Sequence, residues 1–270
     1  MMSQKVILIT GASSGIGLAS SLQLIKAGHI VYGGARRVAE MDPIVQAGGH
    51  ALPLDVTDES SMAAAVERII ADQGRIDVLV NNAGYGSYGA VEEIPMAEAR
   101  HQMEVNVFGL ARMTQLVLPH MRARKSGRII NVGSVGGTIW SPLGAWYHGT
   151  KWFVEGFSNS LRAEVAGFGI DVVVVAPGAI DTGFTGVLME KIEKASGNGP
   201  YKSIVQAYKN SSVAHHGSPP TVVAASMRRA VEDARPATIY RMGRFGRLMV
   251  VMARLMPRRV FDRMLMAALA

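Results

Sequence analysis

Tyr147 and Lys151 stand four residues apart, and Ser134 lies thirteen residues before the tyrosine. On a helix, an i, i+4 pair shares one face with Cβ atoms ~5–6 Å apart. A free phenol has a pKa near ~10, and bringing it to about 7 asks for roughly 4 kcal/mol of preferential phenolate stabilisation. The Lys151 ammonium is expected to supply part of that, and further positive charge bound nearby more. Tyr147 could then give a proton to a carbonyl oxygen, or take one from an alcohol. Ser134, closing Asn131-Val132-Gly133-Ser134, is spaced to hydrogen-bond the same oxygen as its charge grows. Alone, a YxxxK pair reads equally well as the rim of an amphipathic helix. Its weight depends on what else the chain carries.

Far upstream lies Thr10-Gly11-Ala12-Ser13-Ser14-Gly15-Ile16-Gly17, after the apolar run Val6-Ile7-Leu8-Ile9 and before a helical pattern. Glycines there let the backbone turn sharply and approach a pyrophosphate, while the helix N-terminus offers free N–H donors. The spacing is G-x-x-x-G-x-G rather than G-x-G-x-x-G, so the strand-before, helix-after context carries the argument. Ribose specificity is read at the end of the second strand. There the chain has Tyr32-Gly33-Gly34-Ala35-Arg36-Arg37, with no carboxylate and two guanidiniums. A 2′-phosphate suits them, so NADP(H) is favoured, through Arg36 before Arg37. NAD(H) is the alternative, with both arginines facing solvent. Asp55 could accept from an adenine amino group, or belong to a turn or helix cap with Thr57 and Asp58. Asn81-Asn82-Ala83-Gly84 could pin a turn beside the ribose, or be a structural turn alone.

Something must hold these residues together. Short β-branched runs (5–9, 30–34, 50–54, 77–81, 128–132, 171–175, 238–240) alternate with helical patterns at 15–27, 60–73, 97–124, 145–166 and 219–232. That alternation predicts a doubly wound Rossmann-type α/β fold of about seven parallel strands with helices on both faces. Residues 1–243 read as a single domain. Within it, 182–218 reads as a substrate-side lid, with two short helical stretches near 187–194 and 201–210. Residues 244–270 form a basic amphipathic segment of two helices broken before Pro257.

Composition excludes several classes. The chain has no cysteine, which removes disulfides and thiolate zinc sites. Its seven histidines form no HExxH, so no metal site is expected and a zinc-dependent alcohol dehydrogenase is disfavoured. The net charge is +7, but ten arginines beyond residue 227 face only Glu232, Asp233 and Asp262, so the preceding body is neutral. A nucleic-acid groove across that body is not expected. Val6–Ile9 is too short for a secretory h-region, and no apolar stretch approaches the ~20 residues of a spanning helix. The expected location is the cytoplasm.

The constellation resembles the short-chain dehydrogenase/reductase superfamily, in its single-domain branch. The carrying stretches are TGASSGIG (10–17), LDV (54–56), NNAG (81–84), VNVFG (105–109), IINVGS (129–134), YHGTK (147–151) and APGAIDT (176–182). The resemblance implies that Ser134, Tyr147, Lys151 and Asn106 are catalytic. Asn106 would sit at a distortion in a long helix and hold a water that relays protons toward Lys151. Lys151 would also contact the nicotinamide ribose, and Pro177, Gly178, Ile180 and Thr182 would cradle the carboxamide. Expected cofactor contacts are Gly11, Ser13, Ser14, Gly15, Ile16, Gly17, Arg36, Arg37, Asp55, Val56, Asn82, Ala83, Gly84, Tyr147, Lys151, Pro177, Gly178, Ile180 and Thr182. Two departures stand out: His148-Gly149 where the family often has a small residue followed by Ala or Ser, and Gly133 where it often has Ser. His148 points to a helix face away from Tyr147, so it is only weakly expected to touch substrate.

The expected partner is an apolar small-molecule carbonyl or alcohol (steroid-, retinoid- or acyl-like), judged from Trp140, Leu143, Trp146, Phe184, Met189, Tyr201 and Tyr208. Relatives are usually dimers or tetramers. The C-terminal segment has three readings: packing on its own domain or a neighbour, capping the cleft, or lying on an anionic membrane surface. Rival functions are a catalytically idle nucleotide sensor or membrane-peripheral binding protein on the same fold, and an epimerase or dehydratase, for which the chain leaves little room.

Overall fold

The computed structural model describes residues 4–210, 217–243 and 246–269, with only the backbone of Phe184, Thr185, Ala268 and Leu269. Its centre is a seven-stranded sheet. The strands are β1 (Val6–Thr10), β2 (Ile30–Ala35), β3 (His50–Pro53), β4 (Val78–Asn81), β5 (Gly127–Val132), β6 (Ile170–Pro177) and β7 (Ile239–Met242). Their order is β3-β2-β1-β4-β5-β6-β7 and every pairing is parallel.

Strand side chains alternate between two faces, and each face needs an apolar cover. Ile7 and Ile9 of β1 join Val78, Val80, Val173 and Val175 on one face. They pack under α1 (Gly15–Lys26), α2 (Asp42–Gln46) and α9 (Pro220–Glu232) through Leu24, Ile44, Val223 and Met227. Val6 and Leu8 join Leu79, Ile129 and Val172 on the other. Their cover is α3 (Glu59–Gln73), α5 (Leu110–Ala123) and α6 (Ala145–Val165), through Ile69, Met113, Val117 and Leu161. The predicted doubly wound sheet is the one observed.

Local differences have physical causes. A single helix is expected over 97–124, but the structure has α4 (Met96–Met103), a π turn (Glu104–Gly109) and then α5. Gly109 sits where a Cβ would lie 2.5 Å from the Val56 carbonyl oxygen, so the turn lets the helix press onto the loop after β3. The 3₁₀ turn Val38–Met41 and α2 are too short for periodicity to reveal.

The insertion after β6 holds α7 (Gly183–Ser196) and α8 (Lys202–Asn210), longer at the first helix than the sequence suggests. Its two ends are clipped together: Asp181 N donates to Ser218 O at 2.8 Å and Ser218 N to Ala179 O at 3.0 Å. The C-terminal segment forms α10 (Gly246–Leu255) and α11 (Arg258–Leu269), broken at Pro257 as predicted. Residues 211–216 of the insertion, including His215 and His216, and Arg244 and Ala270 of the tail lie outside the described residues.

Candidate active site

The order in which strands are added reverses between β1 and β4, and the carboxyl ends of those parallel strands open the crevice where ligands bind in doubly wound folds. After β1 the chain enters α1 through Gly11 at φ +67°. A Cβ on Gly11 would lie 2.8 Å from Ala83 Cα, and one on Gly17 only 2.3 Å from the Gly11 carbonyl oxygen. Neither position admits a side chain. Ser14 begins α1 in an extended conformation without a side-chain cap, and no acid stands in the first turn. The N–H groups of that turn are therefore available to an anion.

The facing wall is Asn81–Gly84. Thr10 Oγ1 accepts from the backbone N–H of Asn82 (3.1 Å) and Ala83 (3.0 Å), while Asn82 Nδ2 donates to the carbonyls of Thr10 (2.9 Å) and Gly11 (3.0 Å). Asn82 thus clamps the glycine turn directly. Below it, Asn81 Nδ2 donates to Asn131 Oδ1 and Thr114 Oγ1, and Asn131 Nδ2 to Ser158 Oγ, a buried amide chain across β4, β5 and α6.

At the outer end, Arg36 is exposed just past β2, while Arg37 pairs with Glu40 at 3.2 Å. Asp55 Oδ1 accepts from Thr57 N and Thr57 Oγ1, which is the turn reading; the α3 cap belongs to Asp58. Val56 is buried against the π turn. At the inner end, Gly178 N donates to Met242 O at 2.7 Å, Ile180 is buried, and Thr182 approaches Gly15, whose Cβ would lie 3.6 Å from the threonine methyl. Thr182 and Gly15 close one side of the crevice. Uncapped donors, a cradle without side chains and an exposed guanidinium past β2 together fit a dinucleotide.

Ser134, at the end of β5, and Tyr147, in the first turn of α6, have hydrogen-bonded hydroxyls. Gly136 N holds the serine by donating to its Oγ at 3.0 Å. Lys151 lies one turn below the tyrosine, its Nζ 5.8 Å from the phenol ring centroid and donating to the Val132 carbonyl at 2.9 Å. Asn106 sits in the π turn, with both polar atoms of its side chain bonded. Its Nδ2 donates to Tyr85 O (2.8 Å) and Thr150 Oγ1 (3.1 Å), and its Oδ1 accepts from Tyr85 N (3.0 Å). Gly84 separates it from the lysine: a Cβ there would be 3.1 Å from Asn106 Oδ1 and 3.8 Å from Lys151 Nζ.

The electrostatics correct one expectation. Burial pushes the Tyr147 phenol up rather than down, and the Ser134 hydrogen bond offsets only part of this. Burial also pushes the Lys151 ammonium down, to about 8. Acidification of the phenol by this lysine is not a property of the protein alone. Both groups lose solvent on folding, and the ammonium donates to the Val132 carbonyl.

Several residues at the site have a structural role that the motifs do not state. Thr10, Val132 O, Tyr85 and Thr150 position the named ones, and only their neighbourhood in the motifs hints at it. Tyr88 lies 5.4 Å ring to ring from Tyr147. His148 is buried, with Nδ1 bonded to Gly136 O and Nε2 to Ser141 Oγ, both at 3.0 Å, so it braces the turn that holds Ser134. Leu143, at φ +61°, forms an apolar cluster with Tyr88, Tyr208 and Ile192; Tyr147, Met189 and Tyr201 pack against it. Trp146 is half-buried. Trp140 turns instead toward α11, and the side chain of Phe184 lies outside the described residues. Among the described residues, no three metal-ligating side chains cluster.

The family model for short chain dehydrogenase matches residues 5–193, which span the crevice, the Ser134–Tyr147–Lys151 group and most of α7. This chain belongs to the short-chain dehydrogenase/reductase superfamily. It is similar to a 3-ketodihydrosphingosine reductase of Bacteroides thetaiotaomicron, 46% identical over 68% of this chain and 67% of that one. Among solved structures it resembles a short-chain dehydrogenase from Streptomyces avermitilis (TM-score 0.79, 34% identical, 96% of this chain and 95% of that chain). It also resembles a 3-ketoacyl-(acyl-carrier-protein) reductase from Brucella melitensis complexed with NADH (TM-score 0.75, 27% identical, 88% and 96%). The superfamily's general reaction, NAD(P)-dependent dehydrogenation or reduction, is therefore the reaction of this short-chain dehydrogenase.

Proposed function

We propose that this short-chain dehydrogenase is an NADP(H)-dependent reductase of a ketone carried on an apolar, acyl-like chain. The observation that carries the reading is the meeting of the Ser134 and Tyr147 hydroxyls above a buried Lys151, at the mouth of the nucleotide crevice. Tyr147 is held protonated by burial, and a protonated phenol is the form that gives a proton to a carbonyl oxygen. Ser134 fixes that oxygen and stabilises its developing charge. Lys151, near neutrality in its own titration, re-supplies the proton to Tyr147, and Asn106 positions the lysine's surroundings through Tyr85 and Thr150. The nicotinamide, when bound, supplies the hydride.

Gly11, Ser13, Ser14, Gly15, Ile16 and Gly17 would hold the pyrophosphate, Arg36 the 2′-phosphate, and Asp55 and Val56 the adenine side. Asn82, Ala83 and Gly84 would hold the ribose, and Pro177, Gly178, Ile180 and Thr182 the nicotinamide end. The NADH in the Brucella neighbour supports NAD(H) as the alternative cofactor. An acyl-like substrate is supported by the apolar cluster beside Tyr147 and by the names of two similar enzymes, both of which act on a 3-keto compound. Residues 182–218 are read as the lid over that substrate.

The test is NADPH oxidation against aliphatic, aromatic, steroid and 3-keto acyl compounds, with NADH in parallel, for the natural chain and Tyr147→Phe. The reading expects turnover on 3-keto acyl compounds, lost in the variant while NADPH still binds. Retained turnover in Tyr147→Phe would remove the proposed acid.

A further inference from the structure

The C-terminal hairpin buries one face and displays another. Phe261 is fully buried and stacks edge-on against Trp140 at 4.9 Å; next to it Asp262 accepts from Trp140 Nε1 at 2.7 Å. Val250, on the inner face of α10, is also buried. The segment therefore packs on its own domain, the first of its three expected readings. What remains outside is not polar throughout. Leu248, Val251 and Leu255, at i, i+3 and i+7, form an exposed apolar line, with Leu255 at 79% exposure. Arg247 and Arg254 edge that line, and Arg258, Arg259 and Arg263 extend the same charge onto α11.

Folding stability does not explain this face. Arg258 and Arg259 occupy the first turn of α11, where the helix dipole disfavours cations. The only acid between residues 246 and 269 is Asp262, and it is taken by Trp140. A two-fold contact between copies would set these arginines against themselves, because an isologous interface repeats one patch on both sides. An exposed apolar stripe edged by arginines, on a helix lying along the surface, matches the interface of an anionic bilayer. Among the described residues no helix is long and apolar enough to cross a membrane, so contact would lie in the plane of the headgroups.

We propose that the exposed face of α10 and α11 docks this protein on anionic lipid surfaces. The placement has a consequence for the crevice. A Cβ on Gly246, the first residue of α10, would lie 3.0 Å from Val135 Cγ1 and 3.6 Å from Gly178 Cα. The docking helix thus starts beside the turn that holds Ser134 and sets the reaction site close to the headgroups. Docking itself does not depend on which substrate is reduced.

Vesicle co-sedimentation of the full chain tests this without any turnover. The probes are vesicles of phosphatidylcholine alone and vesicles of phosphatidylcholine mixed with phosphatidylserine. Binding is expected to the mixed vesicles only, with release by salt. Each arginine near the surface contributes about fivefold, so the combined Arg254→Gln, Arg258→Gln and Arg259→Gln variant should bind about 100-fold more weakly. Leu248→Ser with Leu255→Ser should weaken it again through lost apolar burial. All these positions are exposed, and unchanged thermal unfolding and NADPH binding would verify the fold. Equal binding to both vesicle types, or none, overturns the proposal. So does unchanged binding by the arginine variant, self-association that the variants abolish, or capture by an acidic polypeptide with the mixed vesicles ignored.

Discussion

Lys151→Met should show that the buried ammonium is a stability cost retained for chemistry. Burial lowers the lysine from 10.5 to about 8 in the folded chain, while the unfolded chain keeps the ordinary value. At ~1.36 kcal/mol for each pH unit, that shift corresponds to about 3 kcal/mol of destabilisation at neutral pH. Between the two pKa values the unfolded chain binds more protons, so the natural protein gains stability as pH rises. Integrated from about pH 7 to about pH 9.5, the gain is about 2 kcal/mol. Methionine fills the site without titrating. It escapes the desolvation cost but leaves the Val132 carbonyl without the ammonium that now meets it at 2.9 Å, a loss of about 1–3 kcal/mol. The variant is thus expected to match or exceed the natural chain near pH 7 and to fall behind by about 2 kcal/mol relative to that start near pH 9.5. Urea unfolding of both proteins without cofactor, across that range, measures the difference, and Tyr147 titration cancels between them. A difference that does not change with pH would refute the assignment of Lys151 as a desolvated ammonium. Turnover should be lost in the variant at every pH.

Three further outcomes follow from the crevice. Arg36→Asp should weaken NADPH by about 10- to 150-fold, the loss of a charge-assisted bond of about 1.5–3 kcal/mol, and barely touch NADH; equal effects in titration calorimetry would remove Arg36 from the 2′ position. Thr10→Val leaves the N–H groups of Asn82 and Ala83 without their acceptor, at about 1–3 kcal/mol each. It should lower both the unfolding midpoint and cofactor affinity, and intact cofactor affinity would uncouple the 81–84 wall from the glycine turn. Gly17→Ala and Gly149→Ala should move in opposite directions. The first drives a Cβ to 2.3 Å from the Gly11 oxygen, whereas the second meets nothing within 4 Å and should stabilise α6 by about 0.8–1.0 kcal/mol without harming turnover.

Much of the fold was legible because its signals are local and repeated. Each β-branched run is a strand, and Pro257 breaks the tail where periodicity put it. The unseen parts depend on what a residue meets across the fold. Thr10 reads only as the residue that leads into the glycine turn until Asn82 and Ala83 arrive at its hydroxyl from the end of β4. The π turn changes hydrogen-bond partners, not composition, so VNVFG looks like ordinary helix and only the resemblance marks Asn106. Trp140 looked like a cleft residue because aromatics near the motifs invite that reading; Asp262 and Phe261, more than a hundred residues on, claim it for the tail.

The phenol's titration is the deepest of these gaps, and it says what kind of property was missing. Spacing gives the i, i+4 pair, and from that pair alone a cation should lower the phenol. Spacing does not say how much water either group keeps. Desolvation raises Tyr147 and lowers Lys151 at once, so the two titrations move apart, each displaced toward its neutral form. Once the phenol has passed its proton outward, its phenolate is a stronger base than the lysine amine, so an ammonium that titrates near about 8 can return the proton downhill. Under the proposed function, the motif would work less by making a strong acid than by removing solvent from a donor and its supply together. That dependence on burial is why the pair at the rim of an exposed helix, identical in sequence, would do nothing.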